Sequence, residues 1–121
     1  KLKRLTPDEE SVIVNKGTEA PFAGKYFNFW ERGTYVCKRC GAPLYRSESK
    51  FEAGCGWPSY FQPNDPQNIQ ELRDLTHGMI RTEVRCANCE AHLGHVFEDG
   101  PAPTGLRYCI NSASLKFKQA D

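Results

Sequence analysis

The sequence predicts one mainly β domain of antiparallel sheets over residues 1–121, opened by a short N-terminal helix and held by two cysteine knuckles. Three observations carry that reading. Helical signals end within the first seventeen residues. Beyond them, short runs of β-branched and aromatic residues alternate with Gly and Pro, the pattern of strands and turns. Two C-x-x-C pairs, distant in sequence, each follow a predicted strand. At 121 residues the chain suits a single core that gains from a staple.

Thr6-Pro7-Asp8-Glu9 is a capping box with proline at the first helical position, and the helix it opens is expected to reach Lys16 and stop at Gly17. Residues 34–36 read as a strand. So do 69–72 and 79–85, the latter with Ile80, Thr82 and Val84 on one face at period two. Residues 93–97, 107–111 and 115–117 complete the set. Glu98-Asp99-Gly100 reads as a hairpin turn, and Pro63, Pro66, Pro101 and Pro103 mark loops. There is no repeat, linker or low-complexity tract.

Charge narrows the function. Sixteen Lys and Arg against fifteen Asp and Glu leave a formal net charge of +1. That balance argues against nucleic acid or an anionic membrane as partner, since either needs a basic surplus. Lys1-Leu2-Lys3-Arg4 reads as a solvated end. No run approaches the roughly 18 apolar residues of a membrane span, and the start has no apolar signal segment. The expectation is a cytoplasmic monomer, although a chain opening on Lys1 leaves a trimmed or processed start open.

Six cysteines stand at 37, 40, 55, 86, 89 and 109. Cys37-Lys38-Arg39-Cys40 and Cys86-Ala87-Asn88-Cys89 each allow two thiolates to point to one side of a tight turn. Two such turns complete a tetrahedron, so the expected cofactor is one structural Zn²⁺ per chain, closed to substrate. Its binding energy would become folding energy. Disulfides are the alternative, as is a redox C-x-x-C, which would want a βαβ setting.

Two cysteines remain. Arg107-Tyr108-Cys109-Ile110-Asn111-Ser112 places Arg107, Cys109 and Asn111 on one strand face, and a nearby guanidinium favours the nucleophilic thiolate. A buried core cysteine is the bland alternative for that segment alone. Ala91-His92-Leu93-Gly94-His95-Val96-Phe97-Glu98-Asp99 adds two histidines, free for proton transfer once four cysteines satisfy the metal. Gly54-Cys55-Gly56-Trp57-Pro58-Ser59 offers a thiol and an indole on a constrained loop, where Trp57 could equally be plain core.

Gly54-Cys55-Gly56-Trp57-Pro58-Ser59, His92-Leu93-Gly94-His95-Val96-Phe97 and Arg107-Tyr108-Cys109-Ile110-Asn111-Ser112 closely resemble the signatures of the B-type methionine sulfoxide reductases. The paired C-x-x-C motifs match the zinc-bearing branch of that family. The likeness runs from Lys16-Gly17-Thr18-Glu19 to Leu115-Lys116-Phe117, and its one visible departure is Tyr60 where the family more often has Phe.

The resemblance implies reduction of methionine R-sulfoxide, protein-bound or free, with Cys109 attacking sulfur. His95 and His92 would protonate the leaving oxygen. Cys55 would then resolve the Cys109 sulfenic acid to a disulfide that thioredoxin reduces. The resemblance also implies that Trp57 takes the substrate methyl and that Phe97 joins the substrate site. Asp99 and Arg107 would pair to orient it, and Asn111 would hold a histidine or a water. Two rivals remain: a zinc-ribbon binding module, because the family resembles Rab-accessory proteins in fold, and a secreted disulfide scaffold.

Overall fold

The computed structural model describes residues 2–120. The chain opens with helix α1 (Pro7–Ile13). Glu9 N donates to Thr6 Oγ1 at 3.2 Å and Thr6 N donates back to the Glu9 carboxylate at 2.9 Å, so the capping box forms. The helix ends at Ile13, short of Lys16. Three β-branched residues in a row, Val12-Ile13-Val14, lose rotamer freedom against the preceding turn. Lys16 then takes a left-handed φ of 60° and reaches Glu83 at 3.1 Å.

Among the described residues nine strands follow in chain order: β1 (Gly33–Cys37), β2 (Pro43–Arg46), β3 (Lys50–Phe51), β4 (Ser59–Tyr60), β5 (Ile69–Asp74), β6 (Arg81–Cys86), β7 (His92–Phe97), β8 (Arg107–Ile110) and β9 (Leu115–Gln119). They form two antiparallel sheets. One has the order β2-β1-β9 and the other β3-β4-β8-β7-β6-β5. Fully buried Tyr35, Leu44 and Leu115 of the first sheet meet Tyr60, Val84, Leu93 and Ile110 of the second in a single core. Tyr45 and Tyr60 stack at 4.5 Å within it. Among the described residues no helix is long and apolar enough to cross a membrane.

Two local expectations change. Met79 and Ile80 lie outside β6, and Ile80 is 76% exposed rather than sharing a face with buried Val84. The β5–β6 connection turns through left-handed His77 and Gly78 just before them, so pairing begins only at Arg81. Glu98-Asp99-Gly100 is not a tight hairpin turn but the start of a longer loop. That loop is closed by Gly100 N to Gly105 O at 3.0 Å and Gly105 N to Pro101 O at 2.8 Å.

Candidate active site

Strand register builds the site. Cys109 on β8 stands opposite His95 on β7 and opposite Ser59 on β4. Both sulfur-bearing segments therefore meet at one place in the six-stranded sheet. One residue before His95, Gly94 lets the two backbones close in, since a Cβ there would lie 2.0 Å from Cys109 O. A cavity of about 260 Å³ opens between Cys55, Trp57, His95, Phe97, Arg107 and Cys109. Thr18, Arg81, Gly94 and Asn111 complete its wall.

The two sulfurs, Cys55 Sγ and Cys109 Sγ, are 3.5 Å apart and unbonded. Such a pair ionises as a unit, because a second negative charge beside the first is opposed. The bond from the Cys109 S–H, helped by the Ser59 hydroxyl 3.3 Å away, pulls Cys55 down to about 5 against the effect of burial. The same bond and burial push Cys109 well above the ordinary thiol range, while Arg107 pulls it back. Both directions favour the first charge of the pair on Cys55 rather than on Cys109.

Arg107 donates from Nε to Asp99 Oδ1 at 2.8 Å and from Nη2 to Asp99 Oδ2 at 3.1 Å. Its guanidinium lies 4.5 Å from the Phe97 ring centre. This fork and stack fix a cation beside the thiols. Asp99 itself is exposed and off the cavity wall, so it acts through Arg107.

Trp57 is held from the N-terminal segment, its Nε1 donating to Glu19 O at 3.0 Å. The Glu19 carboxylate accepts from Ser112 N at 2.8 Å and Ala113 N at 3.1 Å, just beyond β8. Asn111 accepts from Glu19 N at 3.1 Å and donates to Leu93 O at 3.0 Å. It joins three backbone segments and holds no histidine among the described residues.

The histidines divide. His95 lies on the cavity wall with Nε2 2.7 Å from Asp74 Oδ2. His92 is 3% exposed and is not part of that wall. Its Nδ1 is 2.9 Å from Glu83 Oε2, and its buried Nε2 has no protein partner among the described residues. Burial lowers the His92 pKa more than Glu83 raises it. Burial also opposes the Glu83 charge, but bonds from His92 and Lys16 outweigh it and hold the carboxyl below its usual value. A buried neutral ring bound to a carboxylate is a support for the site, so the expectation of His92 as a second donor at the cavity gives way.

The four remaining cysteines cluster elsewhere. The sulfurs of Cys37, Cys40, Cys86 and Cys89 all lie within 4.8 Å of one another. Cys37 and Cys89 are 3.5 Å apart, and Cys40 and Cys86 are 3.6 Å apart. A tetrahedral ion with metal–sulfur bonds of ~2.3 Å would set sulfurs ~3.8 Å apart, so this donor set fits Zn²⁺ with small adjustment. Each knuckle closes with a backbone bond, Gly41 N to Cys37 O at 2.9 Å and Glu90 N to Cys86 O at 2.8 Å. Cys37 ends β1 in one sheet and Cys86 ends β6 in the other, so an ion here would clamp the two sheets together.

The SelR domain family matches residues 5–119. The chain belongs to this family, the B-type methionine sulfoxide reductases. A protein of Acinetobacter baumannii (strain ATCC 17978) named peptide methionine sulfoxide reductase MsrB is 59% identical over 116 residues, covering 96% of this chain and 84% of the relative. Proteins of the same name from Agrobacterium fabrum and Hahella chejuensis are 58% and 55% identical. They cover 96% and 98% of this chain and 86% of their own lengths.

Among the residues singled out in this B-type reductase sequence, the fold gathers Cys55, Trp57, His95, Phe97, Arg107, Cys109 and Asn111 around one cavity. It sets Asp99 and His92 one contact away. Sequence reasoning missed Asp74, Glu83 and Glu19, which hold His95, His92 and Trp57, and Thr18 and Arg81 on the wall. Glu19 sat inside the resembling stretch, and Glu83 falls two residues from Arg81 and three from Cys86 on one strand. Neither position carries a local signal of its long-range partner.

Proposed function

We propose that this chain reduces the R epimer of methionine sulfoxide, protein-bound or free, by a thiol mechanism at the Cys55–Cys109 cavity. The observation that carries the proposal is the 3.5 Å contact between two free sulfurs in a cavity that also holds an indole and an imidazole. Cys109 attacks the sulfoxide sulfur after its proton passes along that contact to Cys55. The sulfoxide oxygen takes a proton from His95; the hydroxyl then passes from the substrate sulfur to the Cys109 sulfur as the new sulfur–sulfur bond breaks, so methionine leaves with that electron pair and Cys109 is left as sulfenic acid. The Cys55 thiol then attacks the Cys109 sulfenic sulfur, forming the disulfide and releasing water. A dithiol protein of the thioredoxin type supplies the two electrons and two protons that restore the pair.

Trp57 receives the substrate methyl, whose burial contributes on the order of 0.8 kcal/mol. The indole face also stabilises the electron-poor sulfur as oxygen is protonated, by about 0.5–2 kcal/mol. That gain grows toward the transition state and so raises rate. With methyl at Trp57, oxygen at His95 and sulfur at Cys109, inverting the centre would put oxygen on the indole. Only one hand then fits, and family membership supplies R. Zinc held by Cys37, Cys40, Cys86 and Cys89 is structural in this reading, one per chain. Held by these four thiolates it would tie the two sheets together and stand outside the cavity.

The thiolate preference of Cys55 favours a second reading, with Cys55 attacking and Cys109 resolving. Two experiments test both. Exhaustive reaction of a racemic methionine sulfoxide peptide with excess dithiothreitol should leave half the sulfoxide, all S by chiral chromatography; complete consumption would overturn the three-point site. In a single turnover, Cys55→Ser should still release methionine and Cys109→Ser should not. The opposite pattern would exchange the roles.

A further inference from the structure

We propose that Asp74 is a positioning residue that commits His95 to its Nε2–H tautomer, so that the proton given to the sulfoxide oxygen leaves from Nδ1 of the doubly protonated ring. This rests on His95 being the proton donor. Asp74 ends β5, two strands away from Cys109's immediate partner, and its carboxylate is filled on both oxygens. Oδ1 accepts from Thr76 N at 2.9 Å and Thr76 Oγ1 at 2.7 Å. Oδ2 lies 2.7 Å from His95 Nε2 and accepts from Arg81 Nη2 at 3.4 Å.

The bond from His95, seconded by those from Thr76, holds this carboxyl well below the usual carboxylate range. An ionised carboxylate only accepts, so the nitrogen facing it must bear the proton. Nδ1 is the other ring nitrogen and has no protein partner among the described residues. In the neutral ring it is a bare acceptor. It donates only after the ring takes a second proton, which makes the Asp74 contact an ion pair. Giving the Nδ1 proton to the substrate oxygen then returns the ring to neutral Nε2–H with the Asp74 bond unbroken.

Donation from Nε2 instead would strip a carboxylate only 13% exposed of one of its two 2.7 Å partners at the moment of reaction. Glu83, opposite His95 on β6, is taken up by His92 and Lys16. His92 meets the His95 ring edge-on at 5.7 Å with Nδ1 bound to Glu83, the Phe97 ring lies at 6.4 Å, and Arg81 is a cation.

The test uses the whole chain, ¹⁵N-labelled and zinc-loaded, with His95 resonances assigned by their loss in His95→Gln. Where the ring is neutral, long-range ¹⁵N–¹H spectra should show the His95 proton on Nε2; a neutral ring carrying its proton on Nδ1 overturns the proposal whether or not the protein reduces sulfoxide. Asp74→Asn presents an amide that can donate to Nε2 and should move the proton to Nδ1. At saturating peptide sulfoxide its single-turnover methionine release should fall on the order of 10²-fold, with peptide affinity unchanged. A wild-type rate overturns the proposal. Thr76→Val removes a bond to Oδ1 and leaves His95 on Oδ2, so it should keep the wild-type rate. A loss as deep as that of Asp74→Asn would assign the effect to the loop and also overturn the proposal. Absence of methionine release from the wild-type protein would sink the reductase chemistry itself, and the tautomer reading would still be decided by the spectra.

Discussion

Gly94→Ala is the substitution whose effect the structure fixes most closely. An ideal Cβ on Gly94 sits 2.0 Å from Cys109 O and 3.0 Å from both Cys109 C and Ile110 Cα. Cβ atoms essentially never approach heavy atoms closer than 3.0 Å, so β7 and β8 must separate locally by at least 1 Å. What blocks the methyl is backbone, flanked by β7 on one side and β4 on the other, and it cannot rotate away as a side chain would. Overpacking of this kind costs about 1–3 kcal/mol, and a strained ladder bond adds about 1 kcal/mol. At about 4 °C per kcal/mol for a chain of this size, the melting temperature should drop by roughly 8–16 °C. The same movement pulls Cys109 away from His95, and a misplacement of ~1 Å lowers the chemical step on the order of 10²-fold. Calorimetry gives the first quantity, and single-turnover methionine release at a temperature where both proteins are folded gives the second. An alanine variant that melts with wild type and reacts at the wild-type rate would refute the account of how β7 and β8 align the site.

The metal cluster predicts that folded protein carries one zinc per chain by elemental analysis. Cys37→Ser or Cys89→Ser, or a strong chelator, should cause severe loss of stability, whereas Cys109→Ser should keep metal and fold; folded protein without metal would contradict this. The thiol pair predicts one fast-alkylating cysteine per chain, Cys55, whose reaction falls away as pH drops through about 5 and the thiolate takes up its proton. Because Cys109 is the largest cause of that low value, Cys109→Ala should shift the midpoint upward, and an unchanged midpoint would count against the shared proton. Tyr60→Phe removes a fully buried hydroxyl with no protein partner among the described residues and keeps the ring stacked on Tyr45. Its melting temperature should equal or exceed that of wild type; a loss of more than ~1 kcal/mol would reveal a partner for the hydroxyl.

Much of the site was legible because its chemistry is written in short motifs. C-x-x-C spacing marks the four-cysteine cluster that could hold a metal without knowledge of the fold, and period two correctly put Arg107 and Cys109 on the cavity side of β8. Histidines three apart did not announce their separation. β7 pairs with β6 through an irregularity that sets Arg85 opposite His92 and Val84 opposite Gly94, and only that pairing carries His92 to Glu83. Strands β2, β3 and β4 were missed because two to four residues hold too little pattern to read. The β4 pairing nevertheless brings the Cys55 loop against Cys109. Asp74 and Glu19 act across 21 and 93 residues of chain, so their partners follow from topology rather than from neighbouring residues.

The most direct test of the central claim needs no reductant. Fully reduced wild-type protein mixed with excess methionine R-sulfoxide peptide should release one methionine per chain and stop, with Cys55 and Cys109 joined in a disulfide that mass spectrometry of the peptides identifies. Cys55→Ser should release one methionine and keep an oxidised Cys109, and Cys109→Ser should release none. Methionine formed by Cys109→Ser at the wild-type rate would contradict the account at its root.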